Sequence, residues 1–275
     1  MTMKKFFSII VLSALVLLLT GCDKIDVDHI HKPYTPISGG KTVLIKDFTG
    51  VRCVYCPGAA EYAHELQHRL GEDRVLILAV HAGAQAQPIG KFPDFLTEEG
   101  ALWYNNNESN PLFAVDRVSL TEGHTLGASQ IDAPVAEALT EPQLFDIEIN
   151  GAYDETTRHL KVENHFHAAG DGQGTYYATV CLVEDSIVGR QMFPVSVFPN
   201  GVDTAYVFRN VFRGTLNGAD GELVTNGSFF VEDVFVQACS MVLDSTFNAN
   251  QCYILTYLYD HQDGKIVQSA MQKIK

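Results

Sequence analysis

The sequence predicts two fold classes in succession: an α/β unit over residues 41–141, then an all-β unit over residues 142–275, an antiparallel β-sandwich. Three observations predict this. Residues 41–141 alternate strand-like and helix-like segments. From Leu144 onward the helical period gives way to short alternating strands punctuated by Gly, Asp and Asn. A Cys-x-x-Cys pair, Cys53-Val54-Tyr55-Cys56, stands where the first strand gives way to the first helix.

Within the first unit, residues 42–48 read as a strand. Residues 57–70 read as a helix, with Pro57 suited to its early turn and Gly71 ending it. Ala59, Ala63, Leu66 and Leu70 form its apolar stripe. Residues 74–81 are almost continuously apolar, as in the buried centre of a parallel sheet. A helix over 92–104, a strand over 112–116 and a helix over 129–139 complete the unit. In the second unit Phe145, Ile147 and Ile149 alternate with Asp146, Glu148 and Asn150. Leu160, Val162, Asn164 and Phe166 alternate with Lys161, Glu163, His165 and His167. Further strands are predicted at 176–183, 195–198, 229–236 and 252–259. The last returns through Asp263-Gly264, a hairpin signal, into 266–271.

The first residues describe an export route. Lys4 and Lys5 precede an apolar run of fourteen residues, 6–19. That is short for a membrane span, which needs about 20 residues, and suits a secretory leader. The run ends in Leu19-Thr20-Gly21-Cys22, which resembles a bacterial lipobox. The resemblance implies a signal peptide over 1–21, lipid on Cys22, and a membrane partner reached through that lipid. Residues 22–40 carry Pro33, Pro36 and Ser38-Gly39-Gly40 and read as a flexible tether with a reach of roughly 25 Å. Its acidic start serves either as a sorting signal or simply as solvated tether. Loss of Lys4 and Lys5 with the leader takes the formal charge from −14 to −16. That balance excludes a nucleic-acid partner and polybasic docking on anionic lipid.

Export favours disulfides. If Cys22, of the six cysteines, carries lipid and Cys53 and Cys56 pair, then Cys181, Cys239 and Cys252 allow at most one further bridge. A thiol at the N-terminus of a helix is stabilised as thiolate by the orphan N–H groups and the helix dipole. Arg52 adds a positive charge beside Cys53. A Cys-x-x-Cys pair so placed resembles a thioredoxin-type redox site, which implies that Cys53 is the attacking thiol and Cys56 the resolving thiol.

By these residues the first unit resembles the thioredoxin superfamily. The resemblance implies that Asp47, in Asp47-Phe48 six residues before Cys53, is a buried carboxylic acid that moves protons to and from Cys56. It also implies that Pro111, in Asn110-Pro111 before a strand, is a cis-proline shaping a peptide groove, with Asn110 and Tyr55 contributing to substrate binding. Two features depart from the superfamily. Arg52 replaces the usual aromatic, and residues 117–128 lack the two antiparallel strands expected after the proline. With the lipobox, Asp47-Phe48-Thr49-Gly50-Val51-Arg52-Cys53, Cys56-Pro57, the segment from Pro111 to Arg117 and the stretch from Arg209 to Gly218, the whole chain resembles the outer membrane protein 28-related lipoproteins of Gram-negative bacteria. That family implies a thioredoxin-like domain followed by an immunoglobulin-like sandwich, anchored in the cell envelope.

Two other patterns compete. His64-Glu65-Leu66-Gln67-His68 spells the zinc-peptidase motif, but both histidines fall outside the helix's apolar stripe and no third ligand follows. His165 and His167 share the polar face of a strand, with His159 a third candidate across the hairpin; such a cluster could hold a metal, but exposed histidines without cysteine or acid partners usually hold nothing. No metal and no organic cofactor is expected; the dithiol itself carries electrons. Two functions follow: thiol–disulfide exchange on envelope proteins, or a non-catalytic binding or assembly module on the same scaffold.

Overall fold

The computed structural model describes residues 40–104 and 108–275. The leader, Cys22 and the tether up to residue 39 lie outside the described residues. Among the described residues there are thirteen strands and three α-helices, and the chain is predominantly β. No described helix is long and apolar enough to cross a membrane.

Strand β1 (Val43–Thr49) is buried at every residue and pairs in parallel with β2 (Val75–His81) and antiparallel with β3 (Leu112–Val115). Helix α1 (Cys56–Leu70) crosses one face of this core. Ala59, Ala63 and Leu66 pack on Val43, Ile45, Val75 and Ile77, while Leu70 of the predicted stripe is exposed. The helix stops at Gly71, whose φ of 108° suits a residue without Cβ and whose N–H donates to the Gln67 carbonyl.

The next helix is shorter than predicted. Helix α2 is Glu98–Tyr104; residues 92–97 are not helical. Pro93 breaks the early turn, and Thr97 Oγ1 accepts the Gly100 N–H at 3.0 Å, so the helix begins after Thr97. Phe95 is freed to pack on His81 and Phe208. After β3 an isolated antiparallel bridge joins Phe113 to Leu126, and residues 117–128 hold no strand. Helix α3 (Asp132–Ala138) follows a turn of 3₁₀ helix.

The remainder is antiparallel apart from one parallel pairing: β4 (Phe145–Asp154), β5 (His159–Ala168), β6 (Gly172–Glu184), β7 (Ile187–Met192), β8 (Val202–Phe208), β9 (Val211–Thr215), β10 (Glu222–Phe229), β11 (Val234–Val242), β12 (Cys252–Asp260) and β13 (Lys265–Lys273). Strands β4, β5 and β11 form one sheet, whose Phe145, Ile147, Leu160 and Phe166 pack against Val180, Leu182, Ile254 and Leu258 of β6 and β12. The predicted strand at 195–198 is a turn between Pro194 and Pro199. The predicted strand at 229–236 is broken at 230–233, where Asp233 accepts the Phe230 N–H and Glu232 has φ 76°. Cys181, Cys239 and Cys252 are free thiols.

An eight-stranded sheet runs through both halves in the order β13-β12-β6-β9-β2-β1-β3, with β10 on the first part of β6. Strand β9 joins the halves by pairing antiparallel with β6 and in parallel with β2. The core follows it: Leu44, Phe48, Leu78 and Val80 share one cluster with Cys181, Phe212, Leu255 and Tyr257. An ion network, buried at Lys41 and Asp116 and partly exposed at Glu141 and Lys265, adds to the join. Lys41 Nζ lies 2.8 Å from Asp116 and 2.6 Å from Glu141, and Lys265 lies 2.6 Å from Glu141.

Candidate active site

Cys53 and Cys56 are joined in a disulfide with Cα atoms 5.4 Å apart. Cys56 opens α1 and Pro57 follows it. The turn before them is narrow: a Cβ on Gly50 would stand 2.5 Å from the backbone of Gln85, so the close approach of the loop after β2 requires glycine. That approach is fixed by the Arg52 N–H, which donates to the Gln85 carbonyl at 2.9 Å.

Asp47 lies on the α1 side of β1, in register with Ala79 of β2. It is 2% exposed, and its Oδ1 has no hydrogen-bond partner. Burial pushes its carboxyl up from 3.8 to about 7. A cavity of about 600 Å³ brings Asp47 together with Cys56. Thr49, Ile77, Ala79 and His81 share its floor, and Cys56, Pro57, Glu61 and His64 form the helix wall. The other wall is the β7–β8 hairpin, through Gln191, Phe193, Tyr206 and Phe208. Cys56 lines this cavity and Cys53 does not.

Cys53 is covered instead. Gln191 Nε2 donates to the Cys53 carbonyl at 2.9 Å and to the Gly50 carbonyl at 3.3 Å. The Met192 N–H donates to the Val51 carbonyl at 2.9 Å. Val51 packs with Phe95, Phe208 and Val211 beneath the same hairpin. The cysteines are 1% and 2% exposed in consequence.

The remaining predicted residues are distributed around this centre. Tyr55 is 72% exposed at the cavity mouth. Arg52 is half-buried. The Asn110–Pro111 bond is cis. Asn110 Nδ2 donates to the Thr49 and Ala82 carbonyls at 2.9 and 2.8 Å, which fixes the proline at the sheet edge where the cysteine loop begins. Asn110 is thus occupied by backbone, and its Oδ1 has no hydrogen-bond partner. Of the zinc-like pair, His68 is exposed beside Glu72 at 3.5 Å, and His64 lines the cavity with Nδ1 3.2 Å from Gln67.

Three residues of the site were not singled out from sequence. His81 is buried against Phe95 and Phe208 at ring separations of 4.8 and 5.7 Å. Burial, and then the Arg213 charge, push its imidazole down to about 3, so it is neutral at ordinary pH. Its position was accessible from period alone: it follows Ile77 and Ala79 on one face of β2. Tyr206 faces the cavity with its hydroxyl pushed up to about 12 by burial and by Asp47. Neither Tyr206 nor Gln191 carries a local signal.

No family model matches the chain, and no curated protein matches it. Among solved structures, HBP35 of Porphyromonas gingivalis has the same fold, with a TM-score of 0.64 over 86% of this chain and 76% of that chain at 14% identity. A domain of the outer membrane lipoprotein Omp28 from the same organism aligns over 48% of this chain and 88% of that chain at 20% identity. The TM-score of that alignment is 0.30.

Proposed function

We propose that the chain is a lipid-anchored protein of a Gram-negative cell envelope that exchanges thiols and disulfides with envelope proteins through Cys53 and Cys56. In this reading β1, β2, β3 and α1 form a thioredoxin-like unit, and the strands from β4 onward an immunoglobulin-like sandwich that presents or selects substrates. The Cys53 thiolate attacks a substrate disulfide, one substrate sulfur leaves as thiolate, and a mixed disulfide forms. Cys56, losing its proton to Asp47, displaces the second substrate sulfur and closes Cys53–Cys56. Arg52 favours the thiolate, Pro111 shapes the peptide-binding surface at the sheet edge beside the cysteine loop, and Tyr55 stands exposed at the cavity mouth. No organic cofactor is needed. The anchor is the lipid on Cys22.

The observation that carries this reading is Asp47: a buried carboxyl without a hydrogen-bond partner on Oδ1, shifted to about 7, in the cavity that Cys56 lines. A purely structural bridge has no use for such a group. A second reading, a static bridge in a binding or assembly module, is favoured by the cover over Cys53. In the first reading the β7–β8 hairpin opens before exchange.

Trapping separates them. A Cys56→Ser chain should capture envelope proteins through Cys53 as mixed disulfides. A reduction potential between about −270 and −120 mV agrees with exchange, whereas one below about −300 mV together with no captured protein sinks it.

A further inference from the structure

The outer face of β5 carries His165 and His167, two residues apart and therefore on one side of the strand. Strand register gives both a carboxylate neighbour that the spacing along the chain does not show. Glu148 on β4 stands directly opposite His165, and Asp146 opposite His167. Glu148 Oε2 lies 3.3 Å from His167 Nε2 and 3.9 Å from His165 Nδ1. One ligand atom from each of Glu148, His165 and His167 falls within 4.8 Å of the others, which is the span of a single coordination sphere.

The orientation of His165 is fixed by a fourth residue. Its Nε2 lies 2.7 Å from Glu163 Oε1, which turns Nδ1 toward the Glu148 carboxylate. The carboxylate–histidine pairing beside it is the arrangement that orients metal-ligating imidazoles. Both strands are paired along their length, and β5 also pairs with β11, so the three ligands sit on fixed backbone.

We propose that Glu148, His165 and His167 bind a borderline divalent transition-metal ion of the Zn²⁺ class. Two imidazoles and one carboxylate suit such an ion, whereas Mg²⁺ and Ca²⁺ take all-oxygen shells. The ligands are half-buried on an outer sheet face, so the remaining coordination positions open to solvent and admit an outside ligand. The site is separate in sequence and sheet from Cys53 and Cys56 and does not depend on their chemistry.

Calorimetric titration of the chelator-stripped mature chain with Zn²⁺ tests this. Binding should weaken roughly a hundredfold in His165→Ala/His167→Ala and at least about tenfold in Glu148→Gln, with circular dichroism unchanged at these half-exposed positions. Excess Ca²⁺ should not compete. Absence of saturable Zn²⁺ binding, or an affinity that both variants leave intact because the ion sits elsewhere, overturns the proposal; so does Ca²⁺ displacing Zn²⁺.

Discussion

The two faces of β1 each bury an ionisable group, at neighbouring positions, and treat it in opposite ways. Lys46 points away from α1. Its ammonium donates to the Val118 carbonyl at 2.7 Å and the Tyr257 hydroxyl at 3.1 Å, and lies 3.7 Å from the Trp103 ring centre. Asp47 points toward α1 and a cavity, with one oxygen unsatisfied. Both are buried, and burial moves both to about 7, the lysine from above and the aspartate from below. What separates them is satisfaction. A buried charge with fixed partners holds an architecture together; one left without them is available for proton transfer.

The comparison is broken most strongly by Lys46→Ala. It opens a cavity between Trp103 and Tyr257 and strips two acceptors of their donor, so denaturant unfolding should show a loss of about 3 kcal/mol. A loss under about 1 kcal/mol would mean that the ammonium's contacts contribute nothing to the join between the halves.

Asp47→Asn addresses the other face. Exchange through Cys56 should slow by about a hundredfold, read as the rate of mixed-disulfide resolution. The pH dependence of stability distinguishes the faces as well. Because the Asp47 pKa is raised in the fold, its stabilising contribution is full below about pH 4 and is lost as pH rises through about 7. Because the Lys46 pKa is lowered, its contribution is full above 10.5 and is lost as pH falls through about 7. Asp47→Asn should therefore remove a decline of roughly 2 to 4 kcal/mol between pH 4 and 7, and Lys46→Met a rise of similar size between 7 and 10.5, in urea titrations at stepped pH. Unchanged resolution kinetics in Asp47→Asn would reduce the carboxyl to a plain burial cost.

Smaller effects follow at the rim. Gln191→Ala removes two hydrogen bonds from the cover over Cys53 and should cost about 1 kcal/mol. Its informative readout is the rate at which a small phosphine reduces Cys53–Cys56, expected to rise about tenfold; equal rates would show that the hairpin does not limit access. His68→Ala should change stability by less than about 0.5 kcal/mol, as for any exposed side chain without a buried partner.

Much of the first half was legible because its signals are local. The apolar runs of β1 and β2, the stripe of α1 and the glycine after it each announce one element. The Asp263-Gly264 turn joins β12 and β13 as predicted. Failures came where a local signal was overruled: Pro93 and Thr97 shortened α2, and two prolines turned 195–198 away from strand. The site was legible only along the chain. Cys53, Cys56 and Asp47 lie within ten residues of sequence, but Gln191, Tyr206 and Phe208 reach it from the second half. Glu148 meets His165 by register alone, and register is set by a turn and a buried face that two histidines do not reveal.

The Gln191 contact with Cys53 spans 138 residues. A chain made from its N-terminus therefore completes its cysteine pair well before the cover exists. Order of emergence does what an inhibitor or chaperone does elsewhere: the sulfurs are open while the protein is young and guarded once it is complete.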